Sequence, residues 1–166
     1  MKKLTTLILF LLLMYTSAYS QNKIKDGLYL INYIDTVRVS EIQLKDNETI
    51  VYFSSMFEEF NSDKDSRIVI DKTQYVPLEL ETMPVTEQQT EDKKKLLLSL
   101  TKDASERLES FTKEHLMKMV ALVVGGDALT VHKIKAAITG GLLQITRCND
   151  NACEVLFVKL KDNVVK

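Results

Sequence analysis

The chain has no excess of charge of either sign: 22 Lys and Arg face 23 Asp and Glu, for a net charge of −1 over 166 residues. No positive field is available to hold phosphate backbones, which excludes nucleic acid as a partner. Histidine is scarce, with only His115 and His132, and neither falls in the spacing of a zinc or catalytic motif, so both are expected in packing or surface roles. Of the five glycines, four form the pairs Gly125-Gly126 and Gly140-Gly141, which read as turns rather than as a phosphate-cradling loop. There is no G-x-S-x-G, and no thiol left over as a nucleophile. No cofactor or metal is implied. An enzyme is therefore the least favoured class, with an acid pair drawn from the plentiful Asp and Glu as its one route, toward a hydrolase.

Long apolar runs are absent except at the start. Lys2 and Lys3 precede an almost wholly apolar run from Leu4 to Met14, and Ser17-Ala18-Tyr19-Ser20 follows, small and polar. That is the layout of a secretory signal peptide. The run is about 11 residues long, against roughly 20 for a membrane-spanning helix. Ala18 and Ser20 supply the small-x-small pattern for cleavage between Ser20 and Gln21. The mature chain of about 146 residues, with a charge of about −3 once Lys2 and Lys3 leave, is one domain's worth of sequence with one continuous core. Leu96–Leu100 and Met119–Val124 are too short to span a bilayer, so the exported product is expected to be soluble, periplasmic or secreted.

Export bears on the two cysteines, Cys148 and Cys153, because an oxidising compartment turns a close thiol pair into a disulfide. Leu142–Thr146 before them and Val155–Leu160 after them are strand-like, and turn formers separate the two cysteines. The expectation is a hairpin clamped by a structural bridge. C-x4-C is neither the C-x2-C of thiol oxidoreductases nor accompanied by two further zinc ligands.

Residues 21–85 read as a β-rich half, with strands at Gly27–Ile34, Val37–Leu44, Thr49–Ser54, Ile68–Ile70 and Tyr75–Leu80. Lys45-Asp46-Asn47-Glu48 reads as a hairpin turn and overlaps the sequon Asn47-Glu48-Thr49. Asn61, Asp63 and Asp65 imitate the opening of a calcium loop. Ser66 replaces its Gly, however, and Lys72 stands where a bidentate Glu is needed, so a solvated loop is expected. Thr86–Lys95 carries no apolar residue and reads as a polar connector within 86–95.

Residues 96–166 form the second half. Leu96, Leu98 and Leu100 alternate as in a strand, Asp103 and Glu106 have the spacing of a helix cap and its reciprocal partner, and Ala104, Leu108, Phe111 and His115 lie on one helical stripe. Met119–Val124 and Ala128–Val131 read as strands around a Gly125-Gly126-Asp127 reversal. The fold class is α+β, mostly antiparallel sheet with one main amphipathic helix.

Leu98–Thr101, the helix ending Phe111-Thr112, Met119–Val124 with its Gly-Asp turn, and Ile138–Thr146 with Gly140 and Gly141 follow one another in the order and spacing of a known family. They resemble the head of the first periplasmic domain of SecD, a subunit of the SecDF protein-export complex, over Leu96–Thr146 and loosely over Tyr75–Thr86. The resemblance implies a ferredoxin-like head that touches polypeptide or another envelope protein. Thr130-Val131-His132-Lys133 stands where the family has a small-Ala-Pro step, the cysteine hairpin stands where the family continues into a helix, and the membrane helices that couple SecDF to the proton gradient are lacking. The function expected is a non-enzymatic binding domain of the cell envelope with a protein or polypeptide partner. The alternatives are a secreted interaction protein that reuses the fold for an unrelated partner, and an acid-pair hydrolase.

Overall fold

The structure, a computed structural model, describes residues 24–36, 41–54, 66–148 and 150–165. The signal segment with Ser20 and Gln21, the calcium-loop imitation at 61–65 and the first part of the strand expected from Val37 lie outside the described residues. The elements run β1 Gly27–Asp35, β2 Glu48–Tyr52, β3 Arg67–Pro77, β4 Val85–Gln88, β5 Lys94–Ser99, α1 Lys102–Glu114, β6 Met119–Val124, β7 Asp127–Lys133, β8 Leu142–Cys148, α2 Asp150–Leu160 and a short 3-10 turn, Lys161–Asn163. This is an α+β fold, mostly antiparallel sheet with two short helices.

Five strands in the order β2-β3-β1-β6-β7 form one sheet, and β4-β5-β8 form another. The first sheet takes strands from both sides of the Thr86–Lys95 stretch, so that stretch does not divide the chain into two structural halves. The sheet curls until the end of β2 meets β7, where Phe53 bridges Ala128 and the Ser54 N–H donates to the Ala128 carbonyl at 2.8 Å. Its concave face holds one apolar cluster, with Ile68, Ile70, Val51, Val123 and Ala128 at its centre. The opposite face carries Leu28, Val120, Leu122 and Val124 against the second sheet and both helices in a larger cluster. The core is thus two clusters on the two faces of one sheet, not one continuous mass. β6 is covered on both faces, which is why it reads as an unbroken apolar run.

The helix stripe of α1 buries Ala104, Leu108 and Phe111, while Glu106, Arg107 and Lys113 face water. Its cap is Thr101, whose hydroxyl accepts from the Ala104 N–H at 3.3 Å, and Asp103 sits inside the first turn. This corrects the assignment of the cap to Asp103. Thr101, three residues before Ala104, brings a hydroxyl acceptor to an N–H that has no partner inside the helix, and Asp103 then adds favourable charge to the dipole end.

Four further expectations change. The expected Ile68–Ile70 and Tyr75–Leu80 strands are largely one strand, β3, because Asp71 takes hydrogen bonds from Thr73 and lets the chain bulge without leaving the sheet. Residues 41–44 form no strand, so Lys45–Glu48 is a turn leading into β2, with the Glu48 N–H on the Lys45 carbonyl at 2.9 Å. The polar connector is a hairpin: β4 is exposed along its whole length and pairs with β5, Glu87 lying directly across from Lys95 with their charges 2.8 Å apart. The cysteine hairpin is a strand followed by a helix, since 150–160 is α2 and not a returning strand. The burial of Ala152, Leu156 and Leu160 at a spacing of four accounts for it.

Candidate functional site

After β7 the chain leaves the sheet as a strap, Ile134–Ile138, before the turn at Gly140-Gly141 leads into β8. The strap is pinned at both ends. At one end the Ile134 N–H donates to the Lys118 carbonyl at 2.9 Å, and the Met117 N–H donates to the Ile134 carbonyl at 2.8 Å. At the other end the Ile138 N–H donates to Thr112 Oγ1 at 2.9 Å. Thr112 is fully buried on α1, and its hydroxyl proton goes to the Leu108 carbonyl at 2.8 Å, so one side chain joins helix and strap. That pairing satisfies polar groups whose burial would otherwise be costly.

Between the strap, the underside of β6 and β8 lies a groove of about 410 Å³. Its walls are aliphatic, with Val120 and Leu122 from the sheet, Ala137 and Ile138 from the strap and Leu143 from β8. Space exists because the middle of the strap is Ala136-Ala137, whose methyls cannot fill it. His132, Lys133 and Lys135 stand on the rim, and among the described residues no carboxylate lines the groove. Among the described residues β8 pairs only with β5, which leaves it an edge strand, and its Leu143 and Gln144 line the groove. An apolar trench beside a sheet edge with a cationic rim can hold an extended chain. It presents no proton-transfer pair.

The acid pair required by a hydrolase does arise, though elsewhere. Glu48 on β2 and Asp71 on β3 are direct cross-strand partners, both buried. Glu48 accepts from the Lys45 N–H at 2.9 Å and from the Asn32 amide at 2.7 Å. Asp71 accepts from the Thr73 N–H at 2.8 Å, the Thr73 hydroxyl at 2.6 Å and the Asn47 amide at 2.8 Å. The Lys45 N–H is the main cause holding Glu48 below its ordinary value, against burial, with the Asn32 amide and the Lys45 ammonium adding to it. Burial raises Asp71, but the donors on Thr73, Gln74 and Asn47 together outweigh it and the net shift is downward. Acid catalysis needs one carboxyl pushed up and its neighbour left low. Both are held down here, and their oxygens are occupied by structural hydrogen bonds.

The remaining residues singled out by sequence fall apart in space. Gly125, Gly126, Gly140 and Gly141 all take positive φ, while Asp127 opens β7 opposite Val124. His115 stacks on Phe111 with centroids 4.6 Å apart, at the end of α1, and His132 lies exposed near the end of β7. Cys153 is buried on α2. The side chain of Cys148 lies outside the described residues. Among the described residues no group of three or more His, Cys, Asp or Glu is placed to hold a metal ion, and no helix is long and apolar enough to cross a membrane. A wider cleft of about 960 Å³ lies where the chain enters β1. It is bordered by charges of both signs, and there Asp26 joins the Gly125 N–H at 2.7 Å to the Asn163 amide at 3.0 Å. Sequence reasoning missed the strap and Thr112. No local pattern marked them, since 134–138, Ile-Lys-Ala-Ala-Ile, has no periodicity of its own.

No protein-family model matches the chain, and no curated protein matches its sequence. Two solved structures are similar to it. One is SecDF in a super-membrane-facing form, at 18% identity and a TM-score of 0.44, covering 81% of this chain and 18% of that one. The other is a structure of SecDF described as a membrane component that enhances protein export, at 12% identity and a TM-score of 0.44, covering 82% of this chain and 62% of that one. This chain therefore spans less than two thirds of either neighbour. Both are SecDF, the family that the motifs between Leu96 and Thr146 resemble.

Proposed function

We propose that the protein is a non-catalytic binding domain of the bacterial cell envelope, and that the groove beneath the Ile134–Ile138 strap takes an extended segment of exported polypeptide. The observation that carries this reading is the groove itself: aliphatic walls beside the edge strand β8 and, among the described residues, a rim of His132, Lys133 and Lys135 without a carboxylate. Apolar walls favour apolar side chains of any sequence, main-chain groups on an edge strand accept any extended backbone, and the cations favour an acidic or neutral flank. The secretory leader at 1–20 supports action outside the cytoplasm, and the SecD resemblance of Leu96–Thr146 supports a translocating chain as the partner. The saturated Glu48–Asp71 pair argues against the hydrolase alternative.

The test is a photoreactive residue placed at Ala137 in intact cells, compared with one at exposed Lys72 on β3, which does not line the groove, followed by identification of the attached proteins. Crosslinks from Ala137 to newly exported chains or to translocation components support the proposal. Equal labelling from both positions, or a single partner from an unrelated surface system, overturns it. In vitro, Ala137→Trp fills the groove and is expected to abolish binding of a reduced, unfolded polypeptide probe while leaving the fold intact. Unchanged binding by that variant counts against the groove.

A further inference from the structure

Independently of the groove, we propose that a second interaction site lies where β1 and β6 separate, and that it accepts a β-strand from a protein partner whose sequence alternates apolar with acidic residues. The two strands pair from Gly27↔Val123 to Leu30↔Val120 and no further. β1 continues beyond this point through Ile31–Ile34, held by β3 on one side. Among the described residues no strand pairs with it on the other. Across the gap, Met117–Met119 turns away toward β7 and the strap, with Met119 opposite Lys133 and Met117 bonded to Ile134. The result is a wedge of about 490 Å³ with a sheet edge on one lip and methionines on the other.

Three observations define what fits. Main-chain groups along Ile31–Ile34 offer a template for an added strand running antiparallel to β1, in line with β6. The apolar side chains at the opening are left in water: Met117 is 62% exposed and Tyr33 42%. Methionine is the residue that adapts to varied apolar partners. Met117 also holds a φ of +66°, a left-handed conformation that a non-glycine residue adopts at a cost and that turns its side chain to the wedge mouth. The third is charge. Lys118 on the methionine lip and Lys133 beside it make no ion pair within the described residues, while Asp35 at the end of β1 is held by Arg67 and Glu48 on β2 by Asn32 and Lys45. An incoming strand with acidic residues between its apolar ones satisfies those cations, whereas a basic one meets repulsion.

The experiment uses the mature chain with three synthetic probes: a blocked heptapeptide alternating Val with Asp, its Val/Lys counterpart, and the Val/Asp peptide with a central proline. Binding and amide hydrogen exchange are read together. The Val/Asp peptide is expected to bind and to slow exchange at those amides of Ile31–Ile34 that β3 does not hold, while the other two probes do neither. Lys118→Glu should weaken that binding by about fivefold to tenfold. Met117→Gly, which relieves the positive φ, should weaken binding while leaving the unfolding midpoint unchanged or raised. Ala137→Trp in the groove should leave it untouched, so that failure of either site is separable from the other. Equal binding of the acidic and basic peptides overturns the proposal. So does slow exchange of those amides in the free monomer, which marks the wedge as filled by the chain itself, or concentration-dependent self-association that protects the same amides.

Discussion

Glu48 and Asp71 face each other directly across the β2–β3 ladder, two carboxylates where a sheet ordinarily avoids like charges. The arrangement holds because each has its own donors: Lys45 and Asn32 on one side, Thr73 and Asn47 on the other. Both groups have folded-state values below their ordinary ones. The stability they contribute is therefore fully present above the unfolded carboxylate range, and it is lost as pH falls through the lower folded values. Thr73→Val removes the hydroxyl donor to Asp71, returns its pKa toward the ordinary value and shrinks that contribution. Urea unfolding is expected to show the variant less stable than the parent at neutral pH, with the difference narrowing on acidification below about pH 4. A difference that is constant or growing toward low pH would mean that Asp71 is not the group responsible.

What the sequence made legible was whatever had one wet face and one dry one. The α1 stripe at Ala104, Leu108 and Phe111 and the alternation of Leu96, Leu98 and Leu100 were readable because burial follows the period of the element. β4 was not, since an edge strand exposed on every residue carries no hydrophobic pattern at all. α2 misled for the opposite reason: Val155-Leu156-Phe157-Val158 is a continuous apolar run with β-branched valines at both ends, although Val155 and Val158 are exposed and the chain buries Leu156 and Leu160. The groove was invisible because Ile134–Ile138 has no periodicity, and its walls come from strands far apart in sequence whose pairing no local pattern fixes.

The two glycines of the β8 turn separate conformational strain from steric conflict. Gly140 has φ +78° with nothing within 4 Å of an added Cβ, whereas at Gly141, φ +65°, that Cβ would lie 2.7 Å from the Cβ of Ser105. Gly140→Ala is expected to cost about 1 kcal/mol from backbone conformation alone. Gly141→Ala should cost about 1–3 kcal/mol more, because α1 must move to admit it. Denaturant midpoints for the two variants check this order, and equal losses would show that the turn yields without disturbing the helix.

A bridge between Cys148 and Cys153 is proposed to join the end of β8 to the first turn of α2, in place of the clamped hairpin. Mature protein prepared from an oxidising compartment should show no free thiol when denatured. Opening so short a loop by Cys148→Ser should cost roughly 2 kcal/mol. Cys153→Ser is expected to cost more than Cys148→Ser, since Cys153 is buried beside Leu156 in the main cluster and a hydroxyl there needs a partner. Two thiols that titrate in the native exported protein would remove the bridge and leave Cys153 as a packed apolar residue.

Thr112 offers the most direct link between packing and the groove. Its hydroxyl gives its proton to the Leu108 carbonyl and receives the Ile138 N–H, so Thr112→Val keeps the volume and the β-branch but strands the donor that fixes the strap. The expected loss is about 1–3 kcal/mol, for an amide left without a partner in a part-buried position. If the strap's position defines the groove, the Ile138 amide should also exchange faster and the unfolded polypeptide probe should bind more weakly. Thr112→Ser retains the hydroxyl and should restore slow exchange at Ile138 and most of the binding, at the lesser cost of one missing methyl, about 1 kcal/mol. If Val and Ser variants bind the probe equally well, the strap is held by its apolar contacts at Ile134 and Ile138, and the hydrogen bond through Thr112 serves the helix alone.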